Sequence, residues 1–265
     1  MKSTDFYKVL DALAPKCISD EFCAKYGAYD NSGVLVDTGE DVKKAVFSLD
    51  LSGGAIAHAK KVGANLIVTH HPAIYGKISD VKADTPLGGK LVECIKNGIS
   101  VISMHLNLDC ADGGIDESLM GAVLLASKTT ESVAKINHTL SMGGYGRAYD
   151  IENCTASELA KGLEGVLSSK RTLVYNGEKK IARVASFCGA GGDEEGLRFA
   201  LKEGADVMIS SDFKHHVIAA AVEAGIAVIA LTHYASENYG YKKYYEKFIG
   251  QTEVECEFYT DECLL

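Results

Sequence analysis

Short apolar runs alternate with amphipathic stretches that end in glycine, and this pattern recurs along the whole chain. Phe6, Val9, Leu10 and Leu13 are spaced for a helix over residues 5–13, stopped by Pro15. Residues 16–31 read as irregular, anchored by Cys17, Ile18, Phe22 and Tyr26. Residues 33–37 and 45–50 read as strands. Ser52 is placed to cap a helix carrying Ile56, Ala57, Ala59, Lys60 and Val62, which Gly63 ends. Residues 65–69 form the next strand, followed by a loop over 72–86 that holds Tyr75, Lys77 and Asp80. A helix over 87–97, a strand over 99–104 and a helix over 115–126 complete this half. Strand, helix, strand, helix predicts a parallel sheet with right-handed crossovers.

After an irregular link over 127–137, the pattern resumes. Residues 145–150 read as a strand. Thr155 and Glu158 form a capping box for a helix with Leu159, Leu163 and Leu167 on one face. Strands over 171–175 and 181–187 flank Asn176-Gly177, which predicts a hairpin. Gly189-Ala-Gly-Gly192 opens a helix to about residue 201. Strands over 205–209, 226–231 and 254–258 alternate with helices over 213–223 and 239–248. The fold class is α/β. Two similar halves, 1–130 and 131–265, each carry a mostly parallel sheet flanked by helices, and the C-terminal segment packs back on the first half.

The halves resemble each other in sequence. Lys61-Val-Gly-Ala-Asn-Leu-Ile-Val-Thr69 lies over Lys202-Glu-Gly-Ala-Asp-Val-Met-Ile-Ser210. Asn97-Gly-Ile-Ser-Val-Ile-Ser-Met104 lies over Ala224-Gly-Ile-Ala-Val-Ile-Ala-Leu231, in the same order. Any helix–glycine–strand unit looks somewhat like this, but the shared order favours a duplication. Ligands of open parallel sheets bind beyond the carboxyl ends of the strands. A ligand site is therefore expected in a cleft between the halves.

Composition narrows the function classes. The formal charge of −9 argues against a protein that reads a nucleic-acid backbone. No apolar run reaches membrane-span length, and the first residues show no signal-peptide pattern, so a cytoplasmic location is expected. The eight cysteines include no C-x-x-C pair, which removes the zinc-finger spacing and leaves reduced, mostly buried thiols as the expectation. Cys110 stands out because it adjoins Asp109, a candidate ligand.

The candidate chemistry lies at the strand ends. His70 and His71 close the run Leu66-Ile-Val-Thr69, and Pro72 stops it. His105 and Asp109 follow the next strand, Ser211-Asp212 a third, and His233 to Glu237 a fourth. Imidazole with carboxylate suits zinc, iron, manganese or cobalt. Adjacent residues of an extended backbone point in opposite directions, so His70 and His71 suit two different ions. Glu237, with two oxygens, is able to bridge them. Two ions about 3.5–4 Å apart can activate water and clamp a leaving oxygen. Each residue alone also has a structural reading: a satisfied core histidine, a turn or cap aspartate, or a polar helix face for His215-His216. The glycines at 189–192 fit either a phosphate cradle or a tight strand-to-helix turn. Lys77 and Arg147 fit either phosphate contacts or a solvated surface. No G-x-S-x-G is present, which removes a serine hydrolase.

At these residues the sequence resembles the NIF-three-like dinuclear metal centre proteins, also called GTP cyclohydrolase 1 type 2 homologs. The resemblance is carried by Asp30-Asn-Ser-Gly-Val-Leu-Val36, Thr69-His-His-Pro72, His105-Leu-Asn-Leu-Asp109 with Gly113-Gly114, Gly189-Ala-Gly, Ser211-Asp-Phe-Lys-His-His216 and Thr232-His-Tyr-Ala-Ser-Glu237. It covers nearly the whole chain. It implies two divalent metal ions per subunit held by His70, His71, Asp109, His233 and Glu237. His105, Asp212 and His216 match positions near that site, and His105, His216 and Glu237 are the catalytic candidates. The resemblance also implies a toroidal homohexamer with sites facing an internal cavity. Leu106 and Val217 depart from the family pattern, at a position where threonine is common and one where aspartate often follows the histidine.

Two functions follow. One is a metal-dependent hydrolase acting on a nucleotide or related small molecule, with GTP ring opening implied by resemblance only. The other is a metal-binding regulatory or scaffold hexamer without turnover.

Overall fold

The computed structural model describes residues 1–265, which divide into two packed units. Met1–Ala111 and Tyr241–Asp261 form the first, and Asp112–Gly240 with Glu262–Leu265 the second.

In chain order, α1 (Ser3–Leu13) buries Phe6 and Leu10. Pro15 ends it but also starts α2 (Lys16–Tyr26), where the hydrophobic pattern predicts irregular chain. Proline suits a helix start, since its missing N–H would have had no intrahelical partner there. Ile18 and Phe22, four residues apart, are buried on one face of α2, while Cys17 stays exposed. Next come β1 (Gly33–Val36), β2 (Lys44–Ser48), α3 (Gly53–Val62), β3 (Leu66–Thr69), α4 (Pro86–Lys96) and β4 (Ser100–Ser103). The Ser52 hydroxyl caps α3, accepting from the Ala55 N–H at 3.0 Å. A short helix, α5 (Leu106–Cys110), then occupies what reads as loop.

The second unit begins with α6 (Ile115–Ser127), then β5 (Lys135–Thr139), β6 (Gly144–Thr155) and α7 (Ala156–Val166). The packing boundary falls at Ala111/Asp112 and not near residue 130, because α6 packs on α7 and β6. The capping box of Thr155 and Glu158 is present at the start of α7. The chain continues through β7 (Leu173–Tyr175), β8 (Lys180–Ser186), α8 (Glu194–Lys202), β9 (Val207–Ser210), α9 (His215–Glu223), β10 (Ala227–Ala230), α10 (His233–Phe248) and β11 (Glu255–Tyr259).

The first sheet runs β1-β4-β3-β2-β11, parallel except for β1. Every residue of β3 and β4 is buried, as central parallel strands covered on both faces should be. One face packs Val46, Ile67 and Val101 against Ile56 and Leu91. Phe47 joins Tyr241 and Phe248 in a separate aromatic cluster, with Phe6 against Phe248. Such ring pairs add about 0.5–1.5 kcal/mol each beyond area burial. The buried hydroxyls keep partners: Tyr241 donates to the Val68 carbonyl at 2.8 Å and Tyr244 to that of Leu10 at 3.0 Å.

The second sheet runs β5-β6-β8-β9-β10-β7, and it is mixed. Its parallel part is β8-β9-β10, while β5, β6 and β7 pair antiparallel. Asn176 does turn the chain, with φ +54, but β7 and β8 are not a hairpin. β7 pairs with β10 instead, at the far edge. The loop is held elsewhere: the Ser157 N–H donates to the Gly177 carbonyl and the Lys179 ammonium to that of Gly225.

The aligned segments occupy equivalent places in the two units. β1-β4-β3-β2 and β7-β10-β9-β8 have the same order and the same sense of pairing. Leu66 sits opposite Ser100 and Val207 opposite Ala227, so the aligned residues also share their register. Asn65 and Asp206, at matching positions, both use a side-chain oxygen to accept from the strand beside them, at Lys43 and Ala182.

Arg147 is neither a surface residue nor placed for a phosphate. It is buried against the buried carboxylate of Asp116, which also accepts from the Gly146 and Cys188 N–H groups at 3.0 and 3.1 Å. Of the eight thiols, Cys94, Cys110 and Cys188 are buried, fewer than expected, while Cys17 and Cys263 are exposed. Removing one partner of the Asp116–Arg147 pair strands the other charge in the interior. Asp116→Ala should therefore cost about 3–5 kcal/mol. Urea unfolding checks this, and an unchanged midpoint would show that the pair contributes little.

Candidate metal centre

In the first unit, β3 ends at Thr69, and the next two N–H groups, of His70 and His71, both donate to the Leu49 carbonyl at 3.2 and 3.0 Å. The Thr69 hydroxyl donates to the His71 carbonyl at 2.7 Å and fixes the bend. From this bend the imidazoles reach opposite neighbours. His70 Nδ1 donates to the Met104 carbonyl, just past β4, at 2.8 Å. His71 Nδ1 meets Asp50 Oδ1, just past β2, at 2.7 Å. A carbonyl can only accept, so His70 carries its proton on Nδ1, and the Nε2 lone pair is the one that can bind a metal. Pairing of Nδ1–H with a carboxylate sets the same tautomer in His71 and holds its ring in place.

His105 stands at the start of α5 and is held in the same way, with Nδ1 2.8 Å from Asp30 Oδ1. Its backbone N–H donates to the Ser32 hydroxyl at 2.9 Å. Burial pushes the Asp30 carboxyl up, but hydrogen bonds from His105 and Ser32 outweigh it and bring it down to about 2. Asp30 is therefore an anion throughout the neutral range. Asp109, one turn along α5, is buried with an oxygen 3.4 Å from His70 Nε2. His70, His105 and Asp109 offer ligand atoms that all lie within 4.8 Å of one another. The ring centres of His70 and His71 are 4.9 Å apart.

In the second unit, His233 opens α10 and is not a residue of a trailing loop. His233 and Glu237 therefore share a helix face, with Nε2 3.1 Å from Glu237 Oε1. His233 Nδ1 lies 2.6 Å from Asp212 Oδ2. Asp212 itself has φ +53, a left-handed conformation that aspartate tolerates better than most residues. Glu237 is buried beside Gly189, where an added Cβ would collide with Glu237 Oε1. The Gly189 N–H donates to the Ser236 hydroxyl at 3.0 Å, so it is already engaged within the protein. Gly191 and Gly192 likewise allow close packing against Phe187 and Phe213. The glycine run is thus a close-packed turn, with Asp193 capping α8 through the Gly196 N–H at 2.8 Å.

His216 lies at the start of α9 in an exposed pair with Glu194, Nε2 to Oε1 2.6 Å. His215 is exposed beside it, and Lys77 is exposed in the 72–85 loop. Asp50 escapes the pattern of the sequence, although it too follows a strand end. Asp30 is visible there only as part of a motif, with nothing to indicate that it holds His105.

The sequence profile of the Duf34/NIF3 (NGG1p interacting factor 3) family matches residues 1–262. The chain belongs to the Duf34/NIF3 family. Relatives named GTP cyclohydrolase 1 type 2 homolog include one from Clostridium perfringens, 30% identical over 241 residues, covering 89% of this chain and 87% of that protein. Another, from Clostridium acetobutylicum, is 32% identical over 243 residues, covering 89% and 85%. Among solved structures, hypothetical protein SA1388 of Staphylococcus aureus superposes with a TM-score of 0.83 at 22% identity, over 98% of this chain and 96% of that one. Reduced HcgD from Methanocaldococcus jannaschii gives 0.79 at 26% identity, over 97% of each chain. The α/β fold with two helix-flanked sheets is that of NIF3 superfamily structures.

The donor set of this NIF3 chain fits a divalent ion of borderline softness: imidazole nitrogens with fixed tautomers, and buried carboxylates. Removing an outer partner of a ligating histidine typically costs 10–100-fold in metal affinity. Asp50→Ala and Asp212→Ala should each show a loss of about that size in chelator competition, with thermal stability little changed because both carboxylates are partly exposed. Gly189→Ala should displace the Glu237 carboxylate and cost about 1 kcal/mol from its φ of +56, as read by urea unfolding and metal content.

Proposed function

We propose that this NIF3-family chain is a dinuclear metal-dependent hydrolase acting on a nucleotide or related small molecule. The observation that carries this is the uniform pinning of four imidazoles by Nδ1: His70 by a carbonyl, and His71, His105 and His233 by carboxylates. Structural histidines have no need of a common tautomer, whereas imidazoles that bind metal through Nε2, or take a proton there, do. His70, His71, Asp109, His233 and Glu237 would hold the two ions, with Glu237 able to bridge. When bound, the ions supply Lewis-acid polarisation of the attacked group and a lowered pKa for water.

The remaining roles belong to the protein. His105, with Asp30 on Nδ1, is arranged to take a proton at Nε2. Glu237 keeps its place because Gly189 beside it has no side chain to displace it. His216 is the residue proposed to contact substrate. The relatives' name supports a nucleotide substrate and GTP ring opening as the first reaction to try. A toroidal homohexamer belongs to the same reading, and light scattering of the purified protein tests it. No helix is long and apolar enough to cross a membrane.

His70→Ala and Glu237→Ala should each lower metal content while leaving the circular dichroism spectrum unchanged. Elemental analysis reads this directly, and undiminished metal in both variants sinks the ligand assignment. Turnover of a nucleotide and ester panel should vanish on chelation and return with one added metal. Tight metal binding without turnover anywhere on the panel would favour a regulatory or scaffold protein instead.

A further inference from the structure

The first unit carries two aromatic rings that are exposed yet held in position. Tyr29 follows α2, and Tyr75 lies in the loop after His71. Their rings meet edge to face, with centroids 5.3 Å apart and planes at 85°. The Tyr75 hydroxyl donates to the Tyr29 carbonyl at 3.2 Å, and Asn31 Nδ2 donates to the Ile74 carbonyl at 2.6 Å. The Ala73 N–H donates to the Ser103 hydroxyl at 3.1 Å, which ties the start of the same loop to β4. Despite these ties, Tyr29 is 50% and Tyr75 52% exposed. Single exposed apolar side chains are ordinary. Two rings locked together by hydrogen bonds, with half their surface open, are a different case.

Their position is the second observation. Tyr75 also meets His105 edge to face, at 6.1 Å and 87°. The His105 ring lies 5.3 Å from that of His70 and 6.0 Å from that of His71. A continuous series of rings therefore leads from the proposed ligands out to Tyr29. A substrate whose reacting bond sits at the imidazoles meets Tyr75 as the next wall beyond His105.

We propose that Tyr75, backed by Tyr29, is the surface on which a planar heteroaromatic ring of the substrate stacks. This rests on the first-unit histidines being the reaction centre. A tyrosine face accepts any flat π-system, so the wall selects for planarity and leaves the identity of the ring to other contacts. It is a positioning role, in which stacking of the ring sets where the rest of the molecule lies relative to His105.

The test compares adenosine and inosine with ribose, which lacks the ring. Dissociation constants are read by NMR titration on the full chain and on Tyr75→Phe and Tyr75→Ala. Both nucleosides should bind about 10-fold or more tighter than ribose to the wild type and to Tyr75→Phe. Tyr75→Ala should lose most of that preference, with ribose binding, metal content and circular dichroism unchanged. Equal binding of nucleosides and ribose, including no detectable binding of either, overturns the proposal. So does a preference that survives in Tyr75→Ala. An altered oligomeric mass in Tyr75→Ala with nucleoside affinity intact would reassign the rings to a contact between copies. The metal reading fails separately: metal content unchanged in His70→Ala removes the ligand assignment, while the nucleoside comparison still decides the stacking wall.

Discussion

A neutral imidazole presents a lone pair on one nitrogen only, and what holds the other nitrogen decides which. In this protein Met104, Asp50, Asp30 and Asp212 make that decision for His70, His71, His105 and His233. Three of those partners, Met104, Asp50 and Asp212, follow the ends of β4, β2 and β9, and Asp30 precedes β1. The Met104 carbonyl is in place because β4 runs parallel to β3, with the Met104 N–H bonded to the Thr69 carbonyl at 2.8 Å. Asp50 is in reach because β2 is the other neighbour of β3. A sheet in another strand order would leave these rings free to rotate and would lose the common tautomer.

The same layout appears in both units, but the chemistry attached to it differs. The first unit places a histidine pair after β3, where the second, after β9, has Ser211-Asp212. After β4 come His105 and Asp109, and after β10 come His233 and Glu237, each four residues apart on one helix face. In the aligned register the second set falls one residue later than the first. One scaffold thus carries a histidine-rich version and a carboxylate-and-histidine version of a strand end. The parallel strands set where the groups lie, and the residues after them set what the groups can do.

Much of this was readable from residue order. Glycine-ended helices followed by apolar runs marked β3, β4, β9 and β10, because buried parallel strands have few other ways to look. The five proposed ligands all sit directly at or just past those runs. What the sequence hid were relations between distant segments. Asp50 and Asp30 are single carboxylates in a chain with many, and only the fold brings each to a particular Nδ1. Asn176-Gly177 signalled a turn correctly, yet a turn motif does not say which strand its neighbour will pair with, and β7 goes to β10. Pro15 reads as a stop and is also a start. Arg147 looked like any surface cation because its partner, Asp116, lies on a different element.

The pairing of β11 with β2 has a consequence for how the chain comes into being. β2 is a strand with four fully buried residues, and its outer edge is covered only by residues 255–259. During synthesis Asp112–Gly240, nearly all of the second unit, emerges between these two strands. Throughout that interval the first sheet presents an open, apolar, parallel edge, the kind of surface on which nascent chains mispair with one another. Tyr241 and Phe248, which pack on Phe47, arrive just as late. The first unit to be translated thus waits for its closing strand until nearly the whole chain is made, and its exposure to aggregation lasts as long as translation of the segment inserted into it.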